Sequence, residues 1–285
     1  MTFFSRICFL LGLCCGIGGC AIDVSSSSYI YQTSAPSPLD TTELLQAVNK
    51  DEAAVSITTV ELTNAQGLTL TGVAVSYPKP VVNIVFYAGN GMTISKASGI
   101  LHEFGKIPAN ILWIDYQGMG ASAAAPRVLV DNLKADALQV FDYGKEVFPK
   151  NIPTIVHGLS MGSLFATYVA NKREVDGVVL DSAISSVSDV AQNLVPQWTK
   201  VFTNLKISPE LAIIDNSEYL ARYRGPLLML VGDRDQMTPI SFSRELFRQS
   251  ASTNKSIYVV LGGKHGKLMR NEAAVIRYQT FIETL

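Results

Sequence analysis

A serine flanked by two glycines is the first residue to which a chemical role can be assigned. Ser160 lies in the run Gly-Leu-Ser-Met-Gly at residues 158–162, after an apolar strand-like run and before a helical stretch. A sharp strand-to-helix turn needs small residues around the serine, and it exposes the hydroxyl at the positive end of the helix. We therefore expect Ser160 to be a nucleophile, with the amide of Met161 directed at a tetrahedral oxyanion. The alternative is a serine that only caps the helix.

A serine hydroxyl needs a base to become a nucleophile, and the chain has three histidines. His102 lies near the end of a predicted helix, which favours a surface or packing role. His157 ends the strand before the serine turn and is expected to support that turn from below. His265 lies in Gly-Gly-Lys-His-Gly at residues 262–266, where the glycines allow one loop to approach another closely. His265 is therefore the predicted base, and the alternative is a solvated loop histidine.

Three aspartates compete for the role of the acid that orients this histidine. Asp233 and Asp235 both follow the apolar run at residues 227–231, and Asp181 ends the preceding predicted strand. Asp235 lies deeper in its loop, just before the next predicted helix, whereas Asp233 suits a turn or a pair with Arg234. The residues alone favour Asp235 but leave the other two open.

The elements that must position these residues follow from the alternation of short apolar runs with helical stretches. The predicted strands cover residues 55–62, 68–77, 81–88, 110–115, 153–157, 177–181, 226–231 and 256–261, and the predicted helices cover residues 93–104, 128–147, 160–172, 239–250 and 271–284. An antiparallel pair followed by repeated strand–helix units predicts an α/β fold, a mostly parallel twisted central sheet with helices on both faces. One domain over residues 41–285 is expected, with no second core.

Residues 183–224 interrupt this alternation with some forty residues between two predicted strands. The segment is expected to form either two ordinary packing helices or a small helical cap over a pocket at the carboxyl edge of the sheet. In the second case Val195, Trp198, Val201 and Phe202 would line the pocket. A segment this short predicts a modest pocket and a preference for short or medium acyl groups.

The amino terminus carries all four cysteines of the chain. Residues 7–19 form an apolar run, too short to span a bilayer, that follows Arg6 and resembles a signal peptide. Ile-Gly-Gly-Cys at residues 17–20 resembles the lipobox of bacterial lipoproteins, which implies a signal peptide over residues 1–19 and a lipid on Cys20. The alternative is an ordinary secretory signal. Residues 20–40 are rich in serine and proline and predict a flexible spacer between the lipid and the domain.

A lipid on Cys20 would make the membrane a partner and place the protein in the cell envelope. In a bacterium with two membranes, Ala21 after the cysteine favours the outer membrane. The formal net charge is −1 without a basic cluster, so nucleic acid is not expected as a partner. Because no cysteine follows Cys20 and no ligand cluster or phosphate-binding loop is present, neither a metal nor another cofactor is expected.

The chain from about residue 55 onward resembles the α/β-hydrolase superfamily, close to its compact members grouped with serine aminopeptidase-like and carboxylesterase-like proteins. The matching runs are Tyr-Ala-Gly-Asn-Gly (87–91), Asp-Tyr-Gln-Gly-Met-Gly-Ala-Ser (115–122), Gly-Leu-Ser-Met-Gly (158–162), Gly-Asp-Arg-Asp with Thr-Pro (232–235, 238–239) and Gly-Lys-His (263–265). The resemblance implies that the Asn90 amide joins Met161 in an oxyanion hole. It also implies that Asp235 is the acid, in the chain order Ser160, Asp235, His265. Ala88 and Gln117 depart from the histidine and arginine that are usual at their positions.

Hydrolysis of an ester, thioester or amide through an acyl-serine is the predicted activity, with esterase, lipase or thioesterase chemistry favoured over that of a peptidase. The substrate is expected to be a small acyl compound. The same residues would serve an acyltransferase in which an alcohol replaces water. A different class of function, a catalytically silent membrane-tethered binding protein, remains as an alternative because a fold does not fix a function.

Overall fold

The computed structural model describes residues 20–48 and 55–285. Strands β1 to β10 are, in order, Cys20–Val24, Ser56–Thr63, Thr69–Ser76, Val82–Tyr87, Ala109–Ile114, Thr154–Leu159, Gly177–Asp181, Thr203–Ile207, Leu227–Gly232 and Lys255–Val260. Helices α1 to α11 are Ser26–Tyr29, Thr41–Val48, Ile94–Ala97, Gly99–Phe104, Val130–Val147, Gly162–Lys172, Val187–Leu194, Pro209–Ala212, Asn216–Leu220, Ile240–Gln249 and Glu272–Glu283. Two 3₁₀ helices span Gln197–Phe202 and Leu268–Arg270.

Eight of the strands form one central sheet in the order β10-β9-β7-β6-β4-β5-β3-β2. Strand β3 is antiparallel to both of its neighbours, β2 and β5, and the remaining neighbours are parallel. The central strands β4, β5, β6, β7 and β9 are buried along their whole length. This is the expected pattern for a parallel sheet covered on both faces, and the predicted α/β fold with a mostly parallel sheet is confirmed.

The two faces of the sheet carry separate apolar cores. In β4, Val85 and Tyr87 belong to one core, and Ile84 and Phe86 belong to the other. Successive side chains of a strand point to opposite faces, so β4 contributes to both cores. Helix α5 packs closely on the first face, and Gly144 shows how closely: a Cβ there would lie only 2.9 Å from Cγ2 of Val85. The helices on both faces hold the carboxyl ends of the strands, and their loops, in place.

The segment at residues 183–224 is mostly helical and also contains one strand that was not predicted. It contains α7, the 3₁₀ helix Gln197–Phe202, β8, α8 and α9. Strand β8 pairs in parallel with β1, and this pairing places Cys20 opposite Thr203 and Val24 opposite Ile207. A lone two-stranded ribbon has little stability of its own, so this pair depends on the apolar side chains beneath it.

The expected flexible spacer over residues 20–40 is also corrected, because much of this segment packs against the domain. Val24, Tyr29 and Ile30 are buried in the first core. The amide of Thr33 donates to the carbonyl of Gly118 at 2.8 Å. The serines around these apolar residues obscured the pattern, and the burial of three apolar side chains offsets the entropy lost on ordering.

The expected signal peptide, residues 1–19, lies outside the described residues. Among residues 20–48 and 55–285, no helix has the length and apolar character needed to cross a bilayer.

Candidate active site

Ser160 occupies a strained turn between β6 and α6. Its φ is +53°, in the left-handed region that residues with a Cβ rarely adopt. A Cβ on Gly162 would clash with the carbonyl oxygen of Tyr87, and a Cβ on Gly158 would clash with the backbone of Gly162 and Ser163. Both glycines are therefore required by close backbone contacts, and the turn holds the serine hydroxyl at the carboxyl edge of the sheet.

His265 reaches Ser160 from the loop after β10. Its Nε2 lies 2.9 Å from Oγ of Ser160, a normal hydrogen-bond distance. The loop that carries the histidine lies directly against the loop after β9, because a Cβ on Gly232 would come within 2.5 Å of the Gly263 carbonyl oxygen. Small residues in both loops thus allow the approach that the glycine-rich sequence predicted.

Asp235 is the carboxylate that meets His265. Its Oδ2 lies 2.8 Å from Nδ1 of the histidine and also accepts a 2.7 Å hydrogen bond from Oγ1 of Thr238. The Oδ1 atom accepts from the amides of Met237 and Thr238, both at 2.9 Å. Burial would raise the pKa of Asp235, but the hydrogen bond and charge of His265 and the donors of Thr238 outweigh burial and hold that pKa below its usual range. The carboxylate is therefore ionised and fixed in orientation.

The other two aspartates make no hydrogen bond to His265 among the described residues. Asp233 is exposed to solvent. The carboxyl of Asp181 accepts a 2.8 Å hydrogen bond from the hydroxyl of Ser182, whose φ of +50° turns the chain sharply after β7. Burial raises the pKa of Asp181 to about 7, against the lowering effect of the Ser182 hydrogen bond.

Asp181 and Ser182 nevertheless connect the serine turn to the histidine loop. The carbonyl of Asp181 accepts the amide of Ser160 at 2.9 Å. Oγ of Ser182 accepts the amide of Gly266 at 3.3 Å. These two residues therefore position the loops that carry Ser160 and His265.

The two amides expected to bind an oxyanion border the serine. Met161 directly follows Ser160 and precedes α6, and Asn90 follows Gly89 in the loop after β4. A Cβ on Gly89 would lie 3.4 Å from the Cβ of Ser160, so this loop lies against the serine. Within residues 20–48 and 55–285, neither amide donates a hydrogen bond to the backbone or to a side chain. Both are available to a bound oxyanion.

Asp115 fixes the loop that carries Asn90, a role that sequence reasoning missed although the Asp-Tyr-Gln-Gly run contained the residue. Its two carboxylate oxygens accept the amides of Ile94, at 3.0 Å, and Ala121, at 2.9 Å. Gly120 has a φ of +56°, and a Cβ there would overlap the Asp115 carboxylate. Burial raises the pKa of Asp115 to about 6, although the two amides lower it. The carboxylate thus joins the loops that follow β4 and β5.

The side chain of Asn90 makes contacts that no sequence pattern indicated. Its Oδ1 accepts the amide of Tyr31 at 2.8 Å, and its Nδ2 donates to the carbonyl of Tyr29 at 2.6 Å. The ring of Tyr31 lies over Gly91, where a Cβ would be 3.2 Å from the ring. The amino-terminal segment therefore forms one wall beside the expected oxyanion site.

His157 and His102 lie away from the serine hydroxyl. His157 is fully buried between the rings of Phe86 and Phe104, and its Nδ1 lies 3.2 Å from the hydroxyl of Tyr278. Burial lowers the pKa of His157 to about 3, so this imidazole is neutral and has a packing role. Nδ1 of His102 lies 3.3 Å from the carbonyl of Val48.

The expected pocket lining is wrong for three of its four residues. Trp198, Val201 and Phe202 are 79%, 86% and 69% exposed, because the 3₁₀ helix that carries them projects into solvent. Val195 is buried, but it borders a small void between the amino-terminal segment and α7 that lacks any of Ser160, Asp235 and His265.

A different apolar cavity lies next to the serine turn. Its walls come from the amino-terminal segment, from helices α5 and α6, and from residues 183–224. They comprise Tyr29, Ile30, Val130, Leu133, Lys134, Met161, Leu164, Phe165, Val187, Leu211, Ile214 and Tyr219. Met161 contributes both its side chain to this cavity and its amide to the expected oxyanion site. Ser160 itself does not line this cavity, which adjoins the serine turn through Met161.

The two departures from the family pattern are accommodated inside the fold. Ala88 is buried, and its carbonyl accepts the hydroxyl of Tyr116 at 2.9 Å. Gln117 is also buried, and its Nε2 has no hydrogen-bond partner among the described residues.

Thr238 is a further site residue that sequence reasoning missed, although its place in the Thr-Pro start of α10 was noted. Across the described ranges, no group of three or more histidine, cysteine, aspartate or glutamate residues could hold a metal ion.

The fold and the serine turn define an α/β-hydrolase. The family described as serine aminopeptidase, S33 matches residues 78–223, just over half of the 285 residues, and the chain belongs to this family. An esterase of Pyrococcus furiosus, Pf2001, has the same fold, with a TM-score of 0.68 over 89% of this chain and 99% of the esterase, at 16% identity.

Two curated proteins are similar in sequence. The alpha/beta hydrolase domain-containing protein aho-3 of Caenorhabditis elegans is 23% identical over 72% of this chain and 59% of its own length. The alpha/beta hydrolase domain-containing protein 17B of Homo sapiens is 26% identical over 64% of this chain and 60% of its own length. The chain thus spans less than two thirds of these relatives.

Proposed function

We propose that this protein is a serine hydrolase that cleaves a carboxylic ester, thioester or amide through an acyl-serine intermediate. The observation that carries the proposal is the continuous hydrogen-bonded series from Ser160 through His265 to Asp235, with distances of 2.9 and 2.8 Å. Two unpaired amides beside the serine and membership of a hydrolase family support it.

The proton path follows from the donors and acceptors. With its proton on Nδ1, His265 donates to the ionised Asp235 and uses Nε2 to accept the hydroxyl proton of Ser160. The Ser160 oxygen attacks the acyl carbon, and the oxygen of the tetrahedral intermediate accepts the amides of Asn90 and Met161. The bond between the acyl carbon and the leaving group then breaks, the imidazolium protonates the leaving group, and the acyl-serine remains. Water gives a proton to His265 and attacks the acyl carbon, and the bond to the Ser160 oxygen breaks as that oxygen takes the proton back and the acid is released.

The apolar cavity beside Met161 favours an acyl group over a charged peptide terminus as the bound part of the substrate. Eleven of its twelve lining residues are apolar or aromatic, and Lys134 is the exception. A buried charge without a partner would be costly there. Esters or thioesters of modest acyl chains are therefore the proposed substrates.

Covalent labelling tests the proposal directly. The full-length protein treated with a fluorophosphonate probe should carry the label on the peptide that contains Ser160. Ser160→Ala should remove the label and lower the hydrolysis of p-nitrophenyl butyrate by about 10⁴- to 10⁶-fold, the range for loss of a nucleophile in such a site. Ser95→Ala, which changes an exposed serine on α3, is the matched control. Labelling at another residue, or activity retained in Ser160→Ala, would contradict the proposal.

We also propose that Cys20 carries a lipid that anchors the protein to the outer face of a membrane or to the periplasmic side of an outer membrane. The lipobox-like run at residues 17–20 supports this, and buried acyl chains contribute about 0.8 kcal/mol per methylene to membrane binding. Cys20→Ser should move the protein into the soluble fraction. An intact mass without acyl chains would disprove the anchor.

A further inference from the structure

Three large apolar side chains of one short helix project into solvent. Trp198, Val201 and Phe202 lie on the 3₁₀ helix Gln197–Phe202 and are 79%, 86% and 69% exposed. With three residues per turn, Trp198 and Val201 lie on the same side of the helix, and Phe202 is rotated by about 120° from them. A cluster of this kind on a folded domain marks a surface that contacts something apolar. These three residues are called the apolar tip below.

The apolar tip is held in place by the fold. Thr199, between its members in sequence, is buried, and its hydroxyl donates to the carbonyl of Pro196 at 2.8 Å. The hydroxyl of Thr203 donates to the carbonyl of Thr199 at 2.9 Å. The helix therefore turns its polar threonine inward and its apolar residues outward in a fixed arrangement.

The amino-terminal end of the described chain lies beside the apolar tip. Cys20 is opposite Thr203 in the parallel pair of β1 and β8, and Thr203 directly follows Phe202. Paired strands are about 4.8 Å apart. A lipid attached to Cys20 would therefore begin close to the three exposed side chains.

We propose that the apolar tip is a membrane-contacting surface that inserts into the lipid interface next to Cys20. Tryptophan favours this interface because its ring is apolar and its N–H stays hydrated, and phenylalanine is common on the apolar face of interfacial helices. Lys200, which is exposed on the same helix, complements anionic headgroups, whereas Lys206 of β8 lies opposite Asp23 of β1. A partner protein fits less well, because three side chains fall far short of the roughly 20–30 residues a side of a stable interface.

The contact would also orient the active site. Nδ2 of Asn193, at the end of α7, donates to the carbonyl of Gln236 in the loop of Asp235 at 2.8 Å. Helix α7, which precedes the 3₁₀ helix of the apolar tip along the chain, is thus bonded to the loop that carries Asp235. One attachment at Cys20 leaves the domain free to rotate, and the apolar tip supplies a second attachment that limits the rotation.

Tryptophan fluorescence tests this proposal, because the chain has two tryptophans and the other, Trp113, is completely buried. The purified full-length protein is mixed with phosphatidylcholine–phosphatidylglycerol vesicles, either plain or with brominated acyl chains. The difference in emission between wild type and Trp198→Phe isolates Trp198. That emission should shift to shorter wavelengths with plain vesicles and be lost with brominated ones.

Matched variants separate a specific contact from general adsorption. Trp198→Phe combined with Ile276→Trp moves the reporter to an exposed position on α11 and should show no quenching. Val201→Ser with Phe202→Ser should reduce the quenching of Trp198, whereas Ile213→Ser, which changes an exposed residue outside the apolar tip, should leave it unchanged. None of these variants should alter hydrolysis of a soluble ester, so a failure of the proposed activity would be seen separately.

Three results would overturn the proposal. The first is equal emission of Trp198 in plain and brominated vesicles. The second is equal quenching of the reporter at position 276. The third is a combination of two results: brominated vesicles do not quench Trp198, and the wild type self-associates whereas the Val201→Ser, Phe202→Ser variant does not. This combination would make the apolar tip a protein contact.

Discussion

The amide of Tyr31 donates to Oδ1 of Asn90 at 2.8 Å, and this bond joins the amino-terminal segment to the loop that carries a proposed oxyanion donor. Nδ2 of the same asparagine donates to the carbonyl of Tyr29. The side chain of Asn90 therefore holds the segment, while its own backbone amide remains unpaired among the described residues. A part of the chain that precedes the α/β fold in sequence thus contributes to the geometry of the site.

Asn90→Ala should lower kcat for p-nitrophenyl butyrate by about 10- to 100-fold with a smaller change in KM, because small displacements of a catalytic group have effects of this size. The substitution keeps the backbone amide and removes only the two bonds that position it. Steady-state kinetics would measure the effect. Thr33→Ala, which removes one 3.3 Å bond from the same segment to Gly118, is the control and should have little effect. Equal kcat values for Asn90→Ala and wild type would show that the segment does not position the amide.

Asp235→Asn should lower kcat by about 10⁴-fold, a loss reported for the equivalent change in chymotrypsin-type enzymes, because an amide favours the wrong tautomer of His265. Asp233→Asn should change kcat little, since that side chain is exposed. Circular dichroism of both variants would establish that they fold. Similar losses at the two positions would mean that the loop as a whole, and not the carboxylate of Asp235, is required.

Asp181→Asn should change how stability depends on pH. The folded-state pKa of Asp181 is raised to about 7, above the roughly 3.9 of an unfolded aspartate. As the pH rises from about 4 to 7, the unfolded chain loses this proton while the folded chain keeps it, so the wild type loses up to about 1–4 kcal/mol of unfolding free energy from this group. Asparagine at this position does not ionise, so the unfolding free energy of the variant does not fall for this reason.

Urea unfolding of both proteins at pH 4, 6 and 8 would measure the difference. The variant should gain stability relative to wild type as the pH rises and should show no further gain above about pH 7, where both states of the wild type are ionised. Any constant cost of the substitution cancels in this comparison. Parallel stability curves would show that Asp181 does not keep its proton in the folded state.

Ile30→Ala should shift the preference among p-nitrophenyl esters toward longer acyl chains, because Ile30 forms a wall of the cavity beside Met161. One methylene in such a pocket changes discrimination by about 1–3 kcal/mol, so the shift should be gradual along the series. Ile213→Ala, which truncates an exposed isoleucine next to the cavity residue Ile214, is the matched control. The wild type should prefer short or medium chains. An unchanged profile in Ile30→Ala would place the acyl group elsewhere.

The local sequence determined the sheet, the helices and the serine turn. Apolar runs of strand length alternate with amphipathic stretches, and such periodicity directly reflects which side chains are buried. The glycines around Ser160 also predicted the turn correctly, because backbone contacts at 158 and 162 leave no room for a Cβ. The predicted strands and helices were therefore confirmed, apart from the break between α3 and α4 in one predicted helix.

The tertiary structure decided which segments that are distant in sequence meet. Asp181, Asp233 and Asp235 are equivalent as residue types, and only the packing of the loops after β9 and β10 brings Asp235 to His265. The serine-rich composition of residues 20–40 concealed the burial of Tyr29 and Ile30, and the apolar residues Trp198, Val201 and Phe202 proved to be exposed. Composition and periodicity report local preference, whereas the burial of a few side chains depends on the surface they meet, and that surface is formed by the rest of the chain.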